Sequence, residues 1–198
     1  IQQMVDAYEW QDGTDFSWNQ QPDTLDPYGL GKNGQVDANG NPLKRRDPRF
    51  YATILFDGAQ FKPRPPELEQ YDSKGIVDVG HGVNQDGDVV DPGVDSRKGP
   101  NAPWNGTRTG YYLGKFADHS IQTWEEQETT PYRVFRFAEI LLNYAEASME
   151  LGEESKARNA LNKVRARVNM PAITASGQEL VEEYRQERKV ELAFEDHR

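Results

Sequence analysis

Polar residues return at steps of three and four between Tyr132 and Leu151: Arg136, Glu139, Asn143, Glu146 and Glu150. That spacing draws one solvent stripe along an α-helix and leaves Phe137, Ala138, Leu141, Leu142, Tyr144 and Ala145 to face inward. Thr130 ahead of Pro131 predicts an N-cap and a proline at the first helical position, and Gly152 predicts the stop. A second helix is expected from Ser155 to Asn169, with Ala157, Ala160, Leu161, Val164 and Val168 as its apolar stripe and Pro171 closing it. The connection is so short that the two helices pack antiparallel. "SGQE", Ser176 to Glu179, matches a capping box and opens a third helix through "LVEEYRQERKVELAFEDHR".

One stripe of that third helix carries Leu180, Tyr184, Glu187, Glu191 and Phe194. Two carboxylates among apolar neighbours need partners, because an unpaired buried charge is costly. Arg165, Arg167, Arg188 and Arg198 are within reach, so ion pairs from helix to helix are expected. The hairpin itself resembles one tetratricopeptide unit, with Ala147, Ala160, Ala166 and Pro171 close to that repeat's small-residue and proline positions. A single unit cannot bury its own face, so its neighbours belong outside these residues.

The front of the chain is patterned differently. "DPRFYATILF", Asp47 to Phe56, reads as a short strand or a buried helix turn. "VDANGNP", "NQDGDVVDPG" and "KGPNAPWNG" are turn sequences, and 61–105 shows no sustained period. A loop of that length is functional or mobile, and 61–105 is expected to be the mobile part. The reading is therefore a mainly α fold: a tetratricopeptide-like helical hairpin and a further helix over 131–198, supporting a loop-rich region with little strand over 1–130. The opening "IQQMVDAYEW" lacks the features of a signal peptide, and "ELAFEDHR" stops inside a predicted helix. A fragment of one larger domain is expected.

Composition narrows the chemistry. Twelve Pro and seventeen Gly, gathered mostly ahead of the helices, agree with the loops. A net charge of −10 argues against nucleic acid, whose phosphates need a basic face, and against docking on anionic lipid. No window is apolar for long enough to span a membrane. With no cysteine there is no disulfide, thiolate metal site or cysteine nucleophile in these residues.

Catalytic signals are missing: no G-x-S-x-G, phosphate loop or HExxH occurs, and no carboxylate pair stands out as acid and base. His81, His119 and His197 have no metal spacing. In "NQDGDVVD", Asn84, Asp86, Asp88 and Asp91 offer oxygen ligands, but the glycine falls at the wrong place for a calcium loop and the closing glutamate is absent. An exposed turn is the better reading, and no cofactor is expected. The aromatic residues say more. Trp18 beside Asn19 in "FSWN" and Trp104 beside Asn105 in "APWNG" place an indole next to an amide in turn-like context. A flat ring covers the C–H face of a sugar while amides bond its hydroxyls, so these four residues and Tyr71 are the candidate glycan contacts. The bland alternative for each of the four tryptophans, Trp10, Trp18, Trp104 and Trp124, is a plug that holds a loop onto the helices.

"RFAEILLNYAEA", "LG", "ALNKVRARVNMP" and "ERKVELAFEDHR" together resemble the C-terminal signature of the SusD/RagB family. "VDAYEWQDG", "FSWN" and "RDPRFYATILFDG" resemble that family's earlier segments, and 61–105 matches least. The resemblance implies an outward-facing outer-membrane lipoprotein of Bacteroidetes that binds oligosaccharide or polysaccharide without cleaving it. It also implies a partner, a SusC-like TonB-dependent transporter, and a lipid anchor outside this chain. Helices would then be scaffold and irregular loops the binding surface. The alternatives are a helical scaffold for protein docking with no glycan contact of its own, and a hydrolase, against which the missing acid/base pair counts.

Overall fold

The computed structural model describes residues 1–19, 26–31, 36–42, 44–80, 92–100, 106–118, 131 and 133–196. Its elements in chain order are helix α1 (Gln2–Ala7), helix α2 (Pro48–Thr53), strands β1 (Ile54–Leu55) and β2 (Tyr112–Leu113), and helices α3 (Phe137–Glu150), α4 (Glu154–Ala166) and α5 (Gly177–Glu191). The chain divides into two compact units, one of residues 1–2 and 52–131, the other of residues 3–51 and 132–198. No described helix is long and apolar enough to cross a membrane.

In the first unit β1 and β2 pair antiparallel, Ile54 opposite Leu113 and Leu55 opposite Tyr112. The expected alternatives for "DPRFYATILF" are thus both realised in succession, a helix turn and then a strand. Irregular chain around this ribbon is tied by one cation. Arg64 donates to both Asp95 carboxylate oxygens at 2.6 and 2.7 Å and to Asp72 at 2.8 Å. Asp95 also accepts the Asp78 N–H at 2.9 Å, so one charge cluster gathers three loop segments. Gly75 cannot carry a side chain: its φ is +71°, and a Cβ would stand 1.9 Å from the Lys62 carbonyl oxygen. Residues 81–91 and 101–105 of the span expected to be mobile lie outside the described residues.

The second unit holds the helices. Leu142 and Ala145 of α3 pack with Ala157, Ala160 and Leu161 of α4 and with Leu180 and Tyr184 of α5. Gly152, at φ +72°, closes α3 as expected: its N–H reaches the Met149 carbonyl at 2.9 Å and the Glu153 N–H reaches Ser148 at 2.8 Å. Asn169 repeats the device after α4 at φ 56°, with Asn169 N–H on Ala166 and Met170 N–H on Arg165. The extended segment that follows is stitched to α4 by Arg158, Asn162 and Arg165, which donate to the carbonyls of Ala175, Ile173 and Pro171.

Four details depart from the pattern. First, α3 begins at Phe137 rather than near Tyr132, and Pro131 is not its first residue. Arg136 is extended there because its guanidinium leaves the solvent stripe for Glu191 and Glu195. Second, Phe137 and Tyr144 are not inward: they are 71% and 51% exposed, beside Ile140 and Leu151. The face that α4 and α5 cover is centred on Leu142, Ala145 and Ser148, one step around the helix. Third, Ser176 forms no capping bond, so the capping box is not made. The Glu154 carboxylate of α4 instead accepts the Gly177 N–H at 2.9 Å, a stronger charge-assisted cap for the positive end of α5. α5 also ends at Glu191, not beyond Phe194. Arg136 takes the Glu191 carbonyl, and Phe194 turns to φ 63°.

The expected ion pairs exist and extend further than the helices. Glu187 and Glu191 are 1% and 3% exposed. Arg165 bonds Glu187 at 3.1 Å and Glu9 at 3.0 Å, and Arg167 bonds Glu191 at 2.8 Å. Arg188 bonds Asn143 at 2.7 Å. Arg198 lies outside the described residues. The central cation is Arg49, which meets Glu187, Glu191 and, at 2.6 Å, Asp47. Asp47 is meanwhile the cap of α2, accepting the Arg49 N–H at 2.8 Å ahead of Pro48.

Removing Arg49 leaves three buried carboxylates facing one another with fewer cations. Arg49→Ala in the full-length protein should cost about 3–5 kcal/mol in urea denaturation; a change of only a few tenths would mean that Arg49 does not hold the network. Burial pushes the Glu191 carboxyl up, but the bonds from Arg136 and Arg49 outweigh it and hold the group below its ordinary 4.5. Such a group contributes stability that is complete above the unfolded value and lost as pH falls through the lower folded value. Between about pH 5 and pH 3 the wild type should therefore lose more stability than Glu191→Gln. Parallel pH profiles of the two proteins would refute this.

Candidate functional site

Burial in the front of the second unit starts from "VDAYEW". Val5, Tyr8 and Trp10 are buried, and between them passes the fully buried Arg46. Arg46 donates to the carbonyls of Tyr8, Pro27 and Val5, and its guanidinium lies 3.7 Å from the centre of the Phe16 ring and 4.9 Å from that of Phe50. Backbone dipoles and ring faces thus gather around this buried cation.

From this base an aromatic ladder climbs to solvent. Trp10 and Phe16 are 5.4 Å apart, and Phe16 meets Trp18 edge-on at 4.9 Å. Trp10 is buried, with its indole N–H unbonded among the described residues. Trp18 is 42% exposed, and its N–H donates to Asp6 at 2.7 Å. One edge of the ring is anchored, one is packed, and part of its surface remains open. Asn19 beside it is exposed, its backbone N–H held by the Ser17 hydroxyl at 3.2 Å. An anchored ring with a free amide alongside is a surface on which a sugar can stack at little ordering cost.

Tyr71 belongs to the first unit, where it caps a turn by bonding Leu68 and stands 54% exposed. Trp104, Asn105, Asp86, Asp88, Asp91, Trp124 and the three histidines lie outside the described residues. Trp10 is buried as the plug reading expects, whereas Trp18 stays half-open. Sequence reasoning did not find Asp6, whose role depends on a turn that brings it back to a tryptophan twelve residues later. Among the described residues, no group of three or more His, Cys, Asp or Glu side chains is placed to hold a metal ion.

A groove of about 490 Å³ opens elsewhere on the same unit, between α1, α3 and α5. Its cations Arg185, Arg188 and Lys189 stand on the last turns of α5, opposite Glu146. Tyr184 forms part of its lining and is 5% exposed. A smaller cleft of about 320 Å³ beside Asp12, Glu179 and Glu183 is acidic. There burial, with the Glu9 charge behind it, pushes the Glu183 carboxyl up.

The SusD family model matches residues 1–198, the whole sequence. The chain belongs to the SusD family. It is similar to the crystal structure of a SusD-like protein from Bacteroides fragilis NCTC 9343, at 30% identity and a TM-score of 0.65 over 98% of this chain. Two structures of the protein BT4246, one with selenomethionine, share the fold at 24% and 23% identity, with TM-scores of 0.56 and 0.54 over 96% of this chain. This chain spans about a third of those proteins, 33% of the first and 31–32% of the others. None of the curated proteins matches the sequence. The mainly helical SusD architecture is thus shared, and most of the segments that carry the resemblance supply residues to the Arg49–Glu187–Glu191 network.

Trp18 supplies a direct check on the anchored ring. With Asp6→Ala the Trp18 indole proton loses its acceptor and should exchange with water about 2–12-fold faster by NMR, the equivalent of about 0.5–1.5 kcal/mol. The Trp10 indole proton is the internal reference. Equal exchange in wild type and variant would mean that the bond does not fix the ring.

Proposed function

We propose that the full-length protein binds oligosaccharide or polysaccharide at the outer face of the outer membrane and hands it, unaltered, to a SusC-like TonB-dependent transporter. Attachment is through a lipid anchor outside these residues, and nucleic acid is not a partner. The match of the SusD family to the whole sequence carries this reading. Anchored, half-open Trp18 supports it, because a rigid ring on irregular chain is the form that a sugar platform takes.

Within this reading Trp104 with Asn105 is the first contact, Trp18 with Asn19 the second, and Tyr71 a further exposed ring. One observation favours a second function, a helical scaffold for protein docking: Phe137, Ile140, Tyr144 and Leu151 leave one side of α3 apolar and open.

A glycan array on the full-length protein, with a hydrolysis assay beside it, separates binding from cleavage and from docking alone. With a glycan so identified, Trp104→Ala and Trp18→Ala should each weaken binding about 2–12-fold, the loss of one stacked ring worth about 0.5–1.5 kcal/mol. Calorimetry reads this directly. Unchanged affinity in both variants would remove these rings from the site, and glycan turnover would overturn the non-catalytic reading.

A further inference from the structure

The groove between α1, α3 and α5 joins three features that packing alone does not call for. A helix C-terminus welcomes cations, which accounts for Arg188 and Lys189 near the end of α5. It does not account for Arg185, which faces Lys189 one turn on, a like-charge spacing that weakens a helix. Among the described residues Arg185 and Lys189 form no ion pair, while Arg188 is steadied by Asn143 at 2.7 Å. The chain as a whole carries −10, so three cations against one carboxylate, Glu146, make this groove a local reversal of sign.

The second feature is Tyr184. Its ring belongs to the helical core, yet its buried hydroxyl, beside Glu146 and Arg188, meets neither with full hydrogen-bond geometry. A buried hydroxyl so loosely held is costly, and a better-aligned acceptor in the groove satisfies it. Burial pushes this phenol up to about 12, so it remains a donor at any physiological pH. The third feature is the apolar part of the lining, Met4, Leu192 and Phe194, with Phe194 held at φ 63°. A bulky residue in the left-handed region is strained and persists only where its surroundings impose it.

We infer that this groove binds an acidic sugar residue, a uronate or a sulfate ester. Its anionic group meets Arg185, Arg188 and Lys189, and one of its oxygens accepts the Tyr184 hydroxyl. Glu146 accepts a sugar hydroxyl, and Phe194 with Leu192 covers the C–H face. The volume, about 490 Å³, suits one or two sugar rings. This deepens the glycan-binding reading and rests on it, since it states which glycans are taken.

Calorimetry on the full-length protein tests it with three probes: trigalacturonate, its fully methyl-esterified neutral counterpart, and a carrageenan tetrasaccharide bearing sulfate esters. At least one acidic probe should bind about tenfold or more above the neutral one, and which of the two does so separates carboxylate from sulfate. Arg185→Ala with Lys189→Ala should abolish that preference. Tyr184→Phe should weaken the acidic probe with little fall in melting temperature, because the hydroxyl has only loose contacts to lose in the free protein. Acidic probes that bind no better than the neutral one, or an acidic preference that survives the double variant, overturn the assignment. Loss of stability without loss of affinity in Tyr184→Phe does so too. Neutral glycans that bind the wild type and lose affinity with Trp18→Ala would leave the general glycan-binding reading standing while this one fails.

Discussion

Two buried carboxylates, Glu187 and Glu191, set the terms for the second unit. A carboxylate without water must find cations and N–H groups of its own. Five carboxylates, with Glu9, Asp47 and Glu195, face four guanidiniums from Arg49, Arg136, Arg165 and Arg167. Those arginines come from α2, from the residue before α3 and from the end of α4, so satisfying the pair fixes where each of these elements can lie. Apolar packing between α3, α4 and α5 supplies the drive to compact, but it tolerates sliding. The guanidinium forks do not, because each has a directional set of donors.

The same constraint explains the departures from simple periodicity. Arg136 reads as a solvent residue on a helix wheel, yet it is drawn inward, and the helix starts only at Phe137, the residue after it, in consequence. By taking the Glu191 carbonyl it also removes the acceptor that a further turn of α5 would use. Arg46 adds a different kind of contact, with ring faces and backbone carbonyls around its guanidinium. It makes the floor on which Phe16 and Trp18 rest. The route from a buried cation to an exposed ring is thus continuous: Arg46 to Phe16, Phe16 to Trp18, with Asp6 closing the outer edge.

Local signals were legible where the physics is local. Three helices, the glycine stop at Gly152, the apolar stripes of α4 and α5 and the need of Glu187 and Glu191 for arginine partners all follow from spacing within a few turns. What was not legible depended on distant partners. Arg49 lies 138 residues before Glu187, and no period links them. Glu154 displaces Ser176 as the cap of α5 only because α4 starts beside it. The inward face of α3 was misjudged by one step, since which apolar residues are covered depends on the neighbours present. For the candidate site, the openness of Trp18 could be argued from its turn, whereas Asp6 and the cationic groove could not.

The sequence separations in the charge network have a consequence for biosynthesis. Arg49, Asp47 and Glu9 emerge from the ribosome long before Glu187 and Glu191 exist. At translation rates of about 5–20 residues per second, Arg49 waits on the order of ten seconds for its carboxylates. During that time the front segments hold unmatched charge and loose aromatic rings, and the helices that would cover them are still unmade. Folding of this unit is therefore a late event set by the synthesis of α5, and closing contacts so far apart in the chain is slow in its own right. Until α5 arrives, the front segments keep exposed the surfaces through which partly made chains aggregate.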